Sequence, residues 1–153
     1  CGVGSANVKI SGVRDINSYI VSLQRLGVED ILIISDINIK SFEKYTQSNN
    51  LSSLEKRLKK YKNKSIFISL SGHGYYDNES YILFNNQKIT SEKLTSMISN
   101  IDESNEVLIL VDTCHAENLF NVSQIKHPNI WCISACKYNE FSIQGVSDEF
   151  GYN

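Results

Sequence analysis

The chain has 153 residues, 41% hydrophobic and 21% charged, with a net charge of -2. That is the profile of one ordinary globular domain, long enough to bury a core. The one basic run, "EKRLKKYKNK" at 55–64, reads as the wet side of a helix, so no nucleic-acid partner is expected. The longest apolar runs are only strand length and no charged-then-apolar leader opens the chain, so no membrane partner is expected. Four Cys without paired short spacings do not make a disulfide framework, and the expected location is intracellular, cytoplasmic and reducing.

In chain order, Ile16, Tyr19, Ile20, Leu23 and Leu26 recur at helical spacing, and Gly27 stops that helix. "DILIISD" is a buried strand, and "KSFEKYTQSNN" reads as a polar surface connection. Leu51, Leu54, Leu58 and Tyr61 mark a second helix, followed by the strand "SIFISL". "YILFNNQKI" is a hairpin turning at Asn85 and Asn86, because Asn tolerates positive φ. Thr90 caps a helix carrying Leu94, Met97, Ile98 and Ile101. The strands "EVLILV" and "NIWCISA" follow. This alternation predicts an α/β fold, a mostly parallel sheet with helices on both faces. In such sheets ligands sit beyond the carboxyl ends of the strands.

Two strand ends carry chemistry. "SIFISLSGHGYY" delivers Ser71, Gly72, His73 and Gly74, and "VLILVDTCHAENLF" delivers Asp112, Thr113, Cys114 and His115. The thiolate is the nucleophilic form of Cys. A neighbouring His can take the thiol proton and return it to a leaving amine. Backbone N–H groups at a Gly-flanked turn suit an oxyanion, and those of Gly74 and Cys114 are the candidates.

With these residues the chain resembles the caspase-like cysteine peptidases, most of all the metacaspases. "SLSGHG" and "LVDTCHAENL" carry the resemblance, with 41 residues from His73 to Cys114 against roughly 50 in caspases. "ISGVRDINSYIVSLQRLGVEDILIISD" and "ISACKYNEFS" extend it over nearly the whole chain. The resemblance implies one caspase-like sandwich domain over 1–153. It also implies a His73–Cys114 dyad acting on protein or peptide substrates, and a zymogen-type large subunit. The C-terminal part of the fold would be missing, to be supplied by a small subunit or a later portion of chain. It further implies that Asp112, Ser71 and an acid from the loop before the first helix, Asp15, line a pocket for Arg or Lys before the cleaved bond.

Other features depart from that pattern. Ala116 stands where a small hydroxyl is usual, and Tyr138 where an acid is often found, with Glu140 nearby. Calcium takes six or more oxygens, whereas Asp77, Glu79, Asp102, Glu103 and Glu117 are scattered, so no cofactor is expected. Cys132 and Cys136 with His115 or His127 make a poor zinc set. An N-terminal nucleophile at Cys1 requires a β-sandwich, which the alternation opposes; Cys1 reads instead as the end of a missing first strand. The alternative to an enzyme is a silent caspase-like scaffold or regulatory module, since fold alone does not confer activity.

Overall fold

A computed structural model describes residues 2–4, 12–28, 30–35 and 43–142, without the side chains of 2–4, 12–15 and 122. Six parallel strands form the main sheet: β1 (Gly2–Gly4), β2 (Leu32–Ser35), β3 (Thr46–Ser48), β4 (Ser65–Ser71), β8 (Glu106–Asp112) and β9 (Ile130–Ser134). Their spatial order is β3-β2-β1-β4-β8-β9. Between β4 and β8 the chain makes a three-stranded antiparallel sheet of β5 (Gly74–Asp77), β6 (Glu79–Phe84) and β7 (Gln87–Thr90).

Helices cover both faces of the main sheet, as the alternation predicts. On one face α1 (Gly12–Arg25) lays Ile16 and Ile20 on Ile31 and Ile33. On the other, α2 (Ser52–Leu58) and α3 (Ser91–Ile98) bury Leu54, Leu58, Leu94 and Ile98 against Leu32, Ile34, Ile68, Val107 and Ile109. The split of Ile31 and Ile33 from Leu32 and Ile34 is the period-2 alternation of a strand covered on both sides.

Local signals account for the element ends. Gly27 takes φ 78, with its N–H on the Gln24 carbonyl and that of Val28 on the Leu23 carbonyl, the paired bonds of a Schellman cap. The Thr90 hydroxyl accepts from the Lys93 N–H at 3.3 Å and caps α3. Asn85 and Asn86 take φ 51 and 59, and this double positive-φ turn joins β6 to β7.

Three sequence expectations change. "KSFEKYTQSNN" is not only a connection, because Thr46–Ser48 pairs with β2 as a short edge strand. Its polar residues suit an edge, where one side meets water. A strand precedes α1: Gly2–Gly4 lies between β2 and β4 in the middle of the sheet, so the chain itself supplies a strand at the place where Cys1 reads as ending one. Cys1 itself lies outside the described residues. Gly74–Asp77 pairs with β6 as a further strand, so the expected hairpin is part of a three-stranded sheet.

A buried amide ties the entries of β4 and β8. Asn105 is 0% exposed. Its Oδ1 accepts from the Lys64 N–H at 2.9 Å, just before β4. Its Nδ2 donates to the Tyr61 carbonyl at 2.8 Å and to the Asp102 carbonyl at 3.0 Å. Asn105→Ala leaves three backbone groups without these partners, and we expect it to cost about 2–4 kcal/mol. Chemical denaturation checks this; a change below about 0.5 kcal/mol, the range of ordinary surface substitutions, contradicts the role.

Candidate active site

β4 and β8 run in register from Ser65↔Glu106 to Ser71↔Asp112. Their carboxyl ends are therefore level, and the chains leave the sheet side by side. The Gly72 N–H still donates to the Asp112 carbonyl, at 3.3 Å. Two residues beyond each strand end lie His73 and Cys114. Gly74 then starts β5 directly against the Cys114 backbone: a Cβ on Gly74 would stand 1.8 Å from the Cys114 carbonyl oxygen and 2.9 Å from Thr113 Oγ1. Glycine is required here by close approach, since no side-chain carbon fits.

The His73 ring is half-buried, its Nε2 fully so, and among the described residues Nε2 has no hydrogen-bond partner. The ring lies 6.2 Å from that of Tyr75. Unpaired buried polar atoms are uncommon, and each calls for a physical reason. Cys114 is a free, half-buried thiol whose Sγ–H donates to the Ser142 carbonyl at 3.8 Å.

The residue after the nucleophile candidate sets the turn. His115 adopts φ 55, a left-handed conformation that few non-glycine residues take. Three contacts hold it there. Its N–H donates to the Glu140 carbonyl at 2.9 Å, its Nδ1 lies 2.7 Å from the Tyr138 carbonyl, and its ring meets Phe141 edge-on at 5.0 Å. Cys136 Sγ–H reaches the Thr113 carbonyl at 3.3 Å, and the Ser142 hydroxyl lies 3.5 Å from Asp112 Oδ1. The segment after β9 thus folds over the Cys114 turn. Sequence reading missed the parts played by Thr113, His115 and Ser142; the "DTCH" run points to His115, but nothing in it signals the positive φ.

The pocket residues divide. Ser71 is buried, and it ends β4 opposite Asp112, which is half-buried at the end of β8. Asp15 lies within the first turn of α1 rather than in a loop before it, and its side chain is outside the described residues. Cys132 and Cys136 pack against the core as free thiols. Burial pushes the Cys132 thiol up, against a smaller opposing hydrogen bond to Ser134. Among the described residues no group of three or more His, Cys, Asp or Glu could hold a metal ion, and no helix is long and apolar enough to cross a membrane.

A parallel sheet clad on both faces, with a His turn and a Cys turn touching at one rim, belongs to the caspase-like class of cysteine peptidase folds. Within that class the chain is a member of the Peptidase C13 family, matched over residues 28–149. It is 30% identical over 97 residues to the GPI-anchor transamidase of Saccharomyces cerevisiae, covering 61% of this chain and 22% of that protein. It is 31% identical over 97 residues to the GPI-anchor transamidase of Schizosaccharomyces pombe, covering 61% of this chain and 24% of that one. The chain therefore spans about a quarter of the length of the curated relatives it matches.

Two expectations are corrected by these matches. The caspase-like resemblance holds, but the family is C13 rather than the metacaspases. The cytoplasmic location is overturned as well. It rested on cysteine usage, while the matched relatives are enzymes of the GPI anchor, at odds with a cytoplasmic protein.

Proposed function

We propose that this chain carries the reacting centre of a cysteine peptidase that works by acyl transfer, with His73 and Cys114 as its dyad. The supporting observation is the contact between the Gly74 and Cys114 backbones at the level ends of β4 and β8. In the proposed reaction His73 removes the Cys114 thiol proton, and the sulfur attacks a peptide carbonyl. The oxyanion is met by the N–H groups of Gly74 and Cys114. As the C–N bond breaks, the imidazolium returns the proton to the departing amine and a thioester remains. Water then releases the acid, or an amine takes the acyl group and forms a new amide. The second ending is the one for which the two matched relatives are named.

Protein or peptide substrates follow from that chemistry. With the family assigned as C13, a preference for Arg or Lys before the cleaved bond rests on Asp112, whose carboxylate ends β8 beside Ser71. A carboxylate two residues from a thiol disfavours the thiolate unless a cation faces it. Asp112→Ala is expected to abolish cleavage after Arg and Lys in a peptide-library profile; an unchanged profile removes Asp112 from the pocket.

The far edge of the sheet supports a further part completing the fold, either a later portion of the chain or a small subunit. β9 is the last strand in the order. Phe67, Leu108 and Trp131 lie in one row across β4, β8 and β9. Tyr19 of α1 reaches the Phe67 ring at 6.2 Å, whereas Leu108, Trp131 and Ile133 remain 37%, 54% and 55% exposed. An open strand edge flanked by such a row is a surface that proteins normally cover.

A thiol-reactive peptide probe tests the dyad. Cys114 should be modified selectively and the modification lost in His73→Ala, while Cys132 reacts slowly because burial holds its thiol protonated. Slow labelling of all cysteines alike would leave the chain as a caspase-like scaffold.

A further inference from the structure

A cleft of about 820 Å³ opens beside the dyad, outside the residues assigned to it. It is bounded by the β5–β6 hairpin, the start of α3, the turn after His115 and the inner face of β9. Its position is set by the same two chain segments that build the site. Tyr76 follows Gly74 on β5, and Glu117 follows Cys114 and His115. The volume is in the range of ligand clefts, yet the wall is polar rather than apolar, which argues against a greasy small molecule.

Charge and hydrogen bonding say what would fit. Glu79, Glu92 and Glu117 line the cleft, and no Lys, Arg or His does so among the described residues. Glu79 shares its charge with Lys88 at 3.5 Å, and Glu117 accepts from the Tyr138 N–H at 3.2 Å. Glu92 has no ion pair among the described residues, and it sits in the first turn of α3. The second observation is independent of these acids. Ser80 is 1% exposed, lines the cleft, and its hydroxyl has no hydrogen-bond partner among the described residues. A buried hydroxyl left unpaired costs free energy that a polar ligand recovers. Tyr76, which also lines the cleft, is 45% exposed.

We propose that this cleft binds a basic stretch of polypeptide, with a Lys or Arg side chain between Glu92 and Glu117 and a peptide polar group on the Ser80 hydroxyl. It is a docking site for substrate outside the dyad, and it stands whether or not Cys114 is a nucleophile. An anionic ligand would be repelled by the carboxylates of Glu92 and Glu117, and a neutral one would gain nothing from them.

The test uses the full-length protein bearing Cys114→Ala, so that no cleavage occurs. Three labelled peptides of equal length, alternating Ala with Lys, Gln or Glu, are titrated by fluorescence anisotropy. The Lys peptide should bind best, and its affinity should fall as salt is raised. Glu92→Gln should weaken it about two- to fivefold, the range of a single solvent-exposed charge pair. Ser80→Ala should weaken all binding to the cleft without altering the preference for Lys, and the loss caused by Glu92→Gln should persist in protein that also carries Asp112→Ala. In protein with Cys114 intact, Glu92→Gln should leave turnover of a short uncharged peptide unaltered. Equal binding of the three peptides overturns the proposal. So does a Lys-peptide affinity that depends on Asp112 and not on Glu92, or protection of the cleft by another part of the full-length protein.

Discussion

Replacing Cys114 with Ala is expected to remove peptide-bond turnover to the limit of detection, and His73→Ala to lower it by about 10²–10⁴-fold. The two are unlike in kind. Without the sulfur no thioester forms. Without the imidazole the sulfur remains, and raising the pH supplies thiolate without help. His73→Ala should therefore regain part of its rate in alkaline buffer, and Cys114→Ala should not. The double variant should be no worse than Cys114→Ala alone, because groups that act on one step are not additive. Steady-state kinetics on a peptide amide, with thioester trapping by hydroxylamine, checks all three. A His73→Ala protein with full activity at neutral pH would remove the dyad, while the family and architecture would stand.

The second large effect is expected at Gly74. A methyl group there would meet the Cys114 carbonyl oxygen at 1.8 Å, with the Cys114 carbonyl carbon at 2.8 Å. Both are backbone atoms, so no side chain can swing aside. Either β5 or the Cys114 turn must move, and either movement separates the two halves of the site. Gly74→Ala should cost about 1–3 kcal/mol, as overpacking does. It should lower turnover about 10²-fold, the usual consequence of misplacing reacting groups by an ångström. Gly27→Ala is the control. It meets nothing within 4 Å but sits at φ 78, so it should destabilise α1 without touching the rate. Denaturation curves with activity at matched folded fraction separate the two variants. If Gly74→Ala keeps both stability and rate, the contact does not hold the site together.

Tyr138, Tyr76, His115 and Phe141, in that order, form a chain of rings at the rim, with centroids 5.0–5.9 Å apart in successive pairs. Tyr76 borders the acidic cleft, while His115 and Tyr138 belong to the cover over Cys114. The cluster therefore links the segment that covers the Cys114 turn to the cleft through packed rings.

Much of this protein is local in origin and was legible in its residues. The run at 107–111 is apolar at every position and that at 66–70 at all but Ser69, and such runs read as strands of a parallel sheet. Gly27 and Thr90 end and begin helices through their own backbone and hydroxyl, and the Asn85–Asn86 turn needs only the φ tolerance of Asn. The His and Cys turns were visible because reactive residues directly follow apolar runs. What residues far apart in the chain do together was not legible. The edge strand at 46–48 is polar, and only its partner β2 makes it a strand. Gly74 looks like any glycine until the Cys114 carbonyl lies against it. The left-handed His115 depends on acceptors at 138 and 140, and the acidic cleft draws Glu79, Glu92 and Glu117 from three separate elements. Local propensity is carried by neighbours in sequence, whereas close approach, burial and pooled charge are set by the strand register, and that exists only once the chain has folded.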